Sequence, residues 1–425
     1  MAQRRSLMEG PDRAVREAAF VCGNESWAMV EDVTAAALNA ISGTRHTLYS
    51  HRGVPHFLDR ALFDSACSRK TLDAMFEAIR SERSLARRIH RVKAEAMGLD
   101  GIAWYDLGAP LPFPNQELLA WDQAKALVQR AFSRAYPGLG IFQESLYDKE
   151  WIEWEPREAK RPGAFCTGSL LTGESRIYMN YNGALNDVRT LAHEAGHAFH
   201  SHVIRDMRAY AQDYPMTLAE SASTFGEMLL TEGIVNDPDV SDTQKALMFD
   251  IEVGSAAIFL TDIPVRFEFE HAVYEERKSG ELSVTQLKDL MAETQRNVFG
   301  DVLLPGGEDP YFWASKLHFY ITGISFYNFP YTFGFLLSRG LFAAFQDEGP
   351  SFLPRYEEFL RLTGSDTAEG VAMKSIGQDL EKPDFWISAI RTLEEPLAQL
   401  GGLLQKTLNA TRLRSGQETS AEDAG

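Results

Sequence analysis

Two histidines four residues apart with a glutamate after the first, His193-Glu194-Ala-Gly-His197, form the segment best suited to do chemistry. On a helix, side chains four apart stack on one face, so both imidazoles can point at one metal ion. Glu194, one position round, then reaches a water held beside that ion. Val188, Leu191, Ala192, Ala195, Ala198 and Phe199 keep helical spacing around the motif, so the helix does not depend on the motif for its support. Zinc needs a third protein ligand and, in a catalytic site, leaves the fourth position to water. Glu220 is the expected third ligand, because it lies on the next strongly patterned helix among Ala219, Ser221, Ala222 and Ser223, small residues that permit close approach. Thr217-Leu-Ala-Glu220 also has the form of a capping box, and taken alone the two readings are about even. Glu227, two turns further on the same face, can orient a ligand histidine or be a plain helix carboxylate. His200 fits helix packing better than ligation.

The elements that must position these groups are mostly helical. Apolar residues recur at the 3.6-residue period over Met29 to Ile41, Lys70 to Met97, Glu117 to Tyr136, Thr243 to Ile263, Thr285 to Val298 and Tyr356 to Leu362. The exception is residues 163–183. There Ile177, Met179 and Tyr181 alternate with Arg176, Tyr178 and Asn180, and Asn182-Gly183 closes the run with a turn signal, so a small β element is expected. The strand Arg176 to Tyr181 is expected to offer a free backbone edge to an extended peptide, with Tyr178 and Gly168 as substrate-positioning residues. The loop holding Gly163 and Gly168 lacks the helix start and Lys-Ser/Thr ending of a phosphate cradle.

The 425 residues carry 42 Lys+Arg against 60 Asp+Glu, a net charge of −18. So acidic a chain is repelled by nucleic acid and by anionic membrane, and neither is expected as a partner. Three cysteines, Cys22, Cys67 and Cys166, are too few and too scattered for a disulfide framework. No apolar run follows the first residues, so a cytoplasmic location is expected. Phe319 to Ser338 holds no charged residue, but Gly323, Asn328, Pro330 and Gly334 interrupt it, and it reads as a core or cleft wall rather than a membrane span.

The motif His193 to His200, the run Ala219 to Glu227, Trp313, and the block from His318-Phe-Tyr through Phe326 to Gly334 resemble the oligoendopeptidase F branch of the thimet oligopeptidase family. The resemblance extends over about residues 10 to 400, taking in Tyr105 to Leu111 and the 163–183 segment. It implies a mainly α fold, a large helical zincin-like catalytic domain split by a deep channel, acting on short peptides. It implies one zinc ion per chain on His193, His197 and Glu220, with Glu194 as the general base. A downstream histidine and tyrosines near the scissile carbonyl would fall on His318, Tyr327 and Tyr331, with Tyr320 as a further substrate contact. Family chains usually carry another helical region before the part that begins here, so the chain reads as N-terminally short. Residues 1–405 are expected to form one catalytic unit, and the polar tail 406–425 to be largely disordered. The expected activity is hydrolysis of internal bonds in short oligopeptides. The alternatives are a zinc aminopeptidase or other zinc hydrolase, and a catalytically silent helical protein with structural zinc. Intact Glu194 counts against the last.

Overall fold

The computed structural model describes residues 2–113 and 118–406, so all but the first residue of the expected tail lies outside the described residues. The described residues divide into two compact units. One is built from those within Met1–Pro112, Ala256–Phe333 and Leu380–Ile387, the other from those within Phe113–Ser255, Gly334–Asp379 and Ser388–Gly425. Both are mainly helical, as the apolar periods require. Among the described residues no helix is long and apolar enough to cross a membrane.

In the first unit, the helices Arg13–Ala28, Glu31–His51, Ile263–Arg277 and Val284–Phe299 supply apolar stripes to one core. Phe20, Leu38, Phe269, Leu287, Phe299 and Trp313 lie inside it. Beside that core the Asp106 side chain is fully buried. It is held by Arg13 and Arg16, each at 3.0 Å, and by the Ala103 N–H at 3.0 Å, so its lone pairs are satisfied by cations and a donor rather than by water. The single helix expected over Lys70 to Met97 is two, Arg69–Ser81 and Arg83–Ala96. At Glu82 the backbone leaves helical ψ, and Ser81 turns its hydroxyl back onto the Ala78 carbonyl at 2.8 Å. The apolar stripe continues across this break, so the period did not reveal it.

The second unit carries the expected metal motif. Asp187 accepts the N–H groups of Asn182 and Ala184, and this fixes the start of the helix Leu185–Ile204. Gly183 just before it has φ +94°, and an added Cβ would lie 3.1 Å from the Leu119 carbonyl, so the turn requires glycine. The helix Met216–Val235 crosses Leu185–Ile204 on small residues from both sides. A Cβ on Gly196 would lie 2.4 Å from the Ala222 carbonyl oxygen and 2.6 Å from Ser223 Cα, and one on Gly226 would lie 2.8 Å from the Ala192 carbonyl oxygen. Those atoms are backbone and cannot rotate away. Gly196→Ala is therefore expected to destabilise this unit by about 3 kcal/mol, the upper end for overpacking. A thermal scan that left the midpoint unchanged would contradict the close approach.

The β element is a three-stranded sheet in the order β1-β3-β2, with β1 Ile152–Glu153, β2 Phe165–Ser169 and β3 Glu174–Tyr178. The alternation read in the sequence holds, since Ile177, Met179 and Tyr181 are buried. The free edge does not. β3 pairs in parallel with β1 through Ile152 and Ile177 and antiparallel with β2 through Cys166 and Ile177, so both its sides are taken. Beyond Tyr178 the chain still donates to the Glu153 and Trp154 carbonyls. The outer edges belong to β2 and to the two-residue β1.

Candidate metal centre

His193 and His197 project from one face of their helix with ring centroids 4.8 Å apart and planes nearly perpendicular. Glu220 comes from the crossing helix. Its Oε2 lies 3.5 Å from His193 Nε2 and 3.7 Å from His197 Nε2. Zinc bonds of about 2.1 Å in tetrahedral geometry separate neighbouring donors by roughly 3.4 Å, so these spacings are those of a site ready for the ion. The competing capping-box reading of Thr217 and Glu220 fails, because the helix begins at Met216 with Pro215 in the cap position and Thr217 already inside. Glu220 Oε2 instead accepts the Ser223 hydroxyl at 2.9 Å.

The ring orientation is also set. His193 Nδ1 lies 2.6 Å from Glu227 Oε1, which holds a proton on Nδ1 and makes Nε2, on the Glu220 side, the nitrogen that gives up its proton to bind a cation. Arg189, one turn before His193, holds the other oxygen of Glu227 at 2.6 Å. Burial opposes ionisation of Glu227, but Arg189 and then His193 outweigh it and hold its carboxyl below the usual range. Burial likewise disfavours the His193 cation, yet Glu227, with Glu220 and Glu194, raises it to about 9. His197 is pushed down to about 4, first by burial and then by the neighbouring His193 charge. Glu194, 5% exposed, is pushed up to about 7, chiefly by burial and also by the like charge of Glu220. Its carboxylate accepts the Cys166 N–H of β2, so that strand's outer edge runs beside the site. A cation among these groups neutralises the crowded carboxylates and takes two lone pairs that otherwise have only protons to bind.

Arg189, Ser223 and the Cys166 N–H were not foreseen. Arg189 carried a signal, being four residues before His193 and so on the same face. The other two contacts follow from the helix crossing and the sheet. Replacing Glu227 by Gln removes the negative acceptor, and zinc affinity is expected to fall 10- to 100-fold while the fold persists. Competition with a fluorescent chelator measures it, and an unchanged affinity would show that the ring needs no such support.

A second triad in the first unit, His56, His271 and Glu275, also brings three donor atoms within 4.8 Å of one another. Its chemistry differs. His56 Nδ1 accepts the Leu58 N–H at 3.1 Å and lies 2.8 Å from the Arg69 guanidinium. A neutral ring whose Nδ1 accepts must carry its proton on Nε2, the nitrogen 3.9 Å from Glu275. The lone pair that a metal would need is therefore protonated, with the Arg69 and Lys278 charges nearby.

His318, Tyr327 and Tyr331 belong to the first unit, where they gather into one ring cluster with centroid separations of 5.5, 6.0 and 5.7 Å. Their segment is pinned by Arg45, which donates to the Ile324 carbonyl at 2.7 Å, and by Glu270, which accepts the Phe326 N–H at 2.9 Å. Phe326 there has φ +52°, a conformation that costs a non-glycine residue energy and persists because such contacts enforce it. Tyr320 packs against the hydrophobic core of that unit instead. In the second unit, Tyr178 donates its hydroxyl to the Arg161 carbonyl at 2.7 Å and stacks on Phe165, while Gly168 lies on β2 facing Ser201.

Comparison with known proteins shows the family and the fold. The family model described as peptidase family M3 matches residues 136–392. The chain is 27% identical over 407 residues to an oligoendopeptidase F homolog of Lactococcus lactis subsp. lactis (strain IL1403), covering 94% of this chain and 66% of that protein. It is 25% identical to the oligopeptidase PepF of Bacillus subtilis (strain 168), covering 94% of this chain and 59% of the relative. It thus spans under two thirds of the length of these relatives. The crystal structure of a putative peptidase from Chlamydophila abortus superposes with a TM-score of 0.83 at 23% identity, covering 95% of this chain and 67% of the other. That of oligoendopeptidase-F from Enterococcus faecium gives 0.74 at 20% identity, covering 95% and 66%. These likenesses show a shared fold.

Proposed function

The chain belongs to peptidase family M3, and from that premise we propose that it is a zinc-dependent endopeptidase hydrolysing internal bonds of short peptides. The observation that carries the reading is the triad His193, His197 and Glu220 with its donor atoms within 4.8 Å of one another, beside Glu194. Zinc held there would acidify a water molecule and polarise a peptide carbonyl.

The protein groups divide the remaining work. Glu194 takes the proton of the attacking water on its carboxylate and passes it to the leaving amine. Burial favours proton uptake by this carboxyl, and a bound cation beside it favours proton release, so the group is placed to do both. The Cys166 N–H keeps that carboxylate aimed. Glu227 and Arg189 fix the His193 ring so that its Nε2 lone pair faces the ion. The outer edge of β2 offers backbone groups to an extended peptide, giving affinity without demanding a sequence. The hydrogen-bond donors that the resemblance expects at His318, Tyr327 and Tyr331 remain part of the reading on that ground alone.

The test is to incubate zinc-loaded protein with internally quenched peptides of graded length, with and without a chelator. Cleavage at internal bonds that stops with the chelator and returns with zinc is expected. Removal of single N-terminal residues would favour an aminopeptidase, and cleavage that survives chelation would sink the mechanism.

A further inference from the structure

Beyond the metal centre, the same helix face leads to a cavity. Ser201 lies one turn past His197 and Arg205 one turn further, so at 1.5 Å per residue they stand about 6 and 12 Å along the helix from the ligand. β2 runs alongside. Its Cys166 donates to Glu194, and Gly168, two residues on, faces Ser201, where an added Cβ would meet nothing closer than 3.9 Å. Between the strand, the hairpin that follows it and the helix end opens a space of about 510 Å³, lined among others by Gly168, Leu170, Ser201, Ile204, Arg205 and Tyr210.

The walls hold large apolar groups that the fold leaves in water. Leu170 is 67% exposed and Tyr210 86%, while Ile204 is buried at the base. Exposed bulky apolar side chains that line one cavity, here beside Glu174 and Asp213, mark a surface able to take a ligand. We propose that this cavity is a specificity pocket for the peptide substrate, taking a bulky apolar or aromatic side chain two to four residues from the bond cleaved. The distance follows from the chain's own geometry. An extended peptide paired with the outer edge of β2 advances about 3.4 Å per residue, so the cavity's 6 to 12 Å offset spans that many positions. Gly168 leaves the entry open, and Leu170, Ile204 and Tyr210 supply contacts that a methyl side chain cannot fill. Arg205 stands at the rim.

This inference rests on the proposed peptidase activity, and its test separates the two. Zinc-loaded protein is given quenched octapeptides of one sequence in which each position in turn is Phe, Ala or Asp, and products are mapped by mass spectrometry. A preference for Phe over Ala of about tenfold or more in kcat/KM is expected at one position two to four residues from the cut. Tyr210→Ala together with Leu170→Ser should reduce the Phe/Ala ratio toward one, and Gly168→Phe, which fills the entry from within, should do the same. Tyr210 and Leu170 are exposed, so their loss leaves the core intact. Cleavage with no preference in that window, or a preference that the variants retain, overturns the pocket alone. No cleavage of any peptide by the zinc-loaded wild type overturns both.

Discussion

Glu194→Gln is expected to lower kcat/KM for peptide hydrolysis by about 100- to 10,000-fold, the range a positioned acid–base group supplies, while zinc stays bound at one ion per chain. Gln keeps the shape of the side chain and its carbonyl oxygen can still accept the Cys166 N–H, so the site's geometry is preserved and only the proton carrier is removed. The stability of the protein should not suffer. Burial pushes the Glu194 carboxyl up to about 7, which means that its ionised form is disfavoured in this environment, and an uncharged amide escapes that cost. Metal analysis beside steady-state kinetics makes the distinction. A variant that keeps wild-type turnover removes Glu194 from the mechanism, and one that loses both metal and turnover makes it a structural group.

The second large effect is at the third ligand. Glu220→Ala leaves two imidazoles and no carboxylate, and zinc affinity is expected to fall by more than the 10- to 100-fold that changes behind the ligands produce. Activity should fall with it at micromolar zinc. Thermal stability gives a second readout. A ligand that binds only the folded state adds about 2.7 kcal/mol at a hundred times its dissociation constant, so wild-type protein should gain several degrees when zinc is added. Glu220→Ala should show no such gain over the same zinc range. Alanine keeps the Glu220 Cβ that lies nearest Gly334, the Ser223 hydroxyl keeps the Glu220 carbonyl at 3.2 Å, and the helix crossing at Gly196 and Gly226 remains. An unchanged zinc-induced shift would remove Glu220 from the ligand set.

Why some of this was legible in the sequence and some not follows from the range of each interaction. His193, Glu194 and His197 are fixed by helical geometry over four residues, and a local period carries them. The β element was legible because apolar residues alternate at Ile177, Met179 and Tyr181 and the turn signal Asn182-Gly183 closes the run. The occupancy of its edges was not. The second neighbour of β3 is a two-residue strand at Ile152–Glu153, too short to carry an alternation of its own. Glu220 was ambiguous for the same reason, since the capping-box pattern is local while the approach of its helix to His193 depends on where Pro215 starts it. The break at Glu82 left the apolar period intact and so left no trace. Among the tyrosines, sequence density could not separate Tyr327 and Tyr331, which meet His318, from Tyr320, which packs into a core.

Each unit is assembled from three separated stretches of chain, and this has a consequence for synthesis. The first unit closes only when Leu380–Ile387 arrives, bringing the buried Trp386, whose indole N–H donates to Leu380 and whose ring meets Phe333 edge-on at 4.9 Å. The second unit also draws on chain from Ser388 onward. At 5 to 20 residues per second a ribosome takes roughly 20 to 80 seconds to pass from the first stretch of this unit to residue 387. For all that time the nascent apolar stripes lack their last partners, so this chain should depend on chaperones during translation more than a chain of two consecutive domains would.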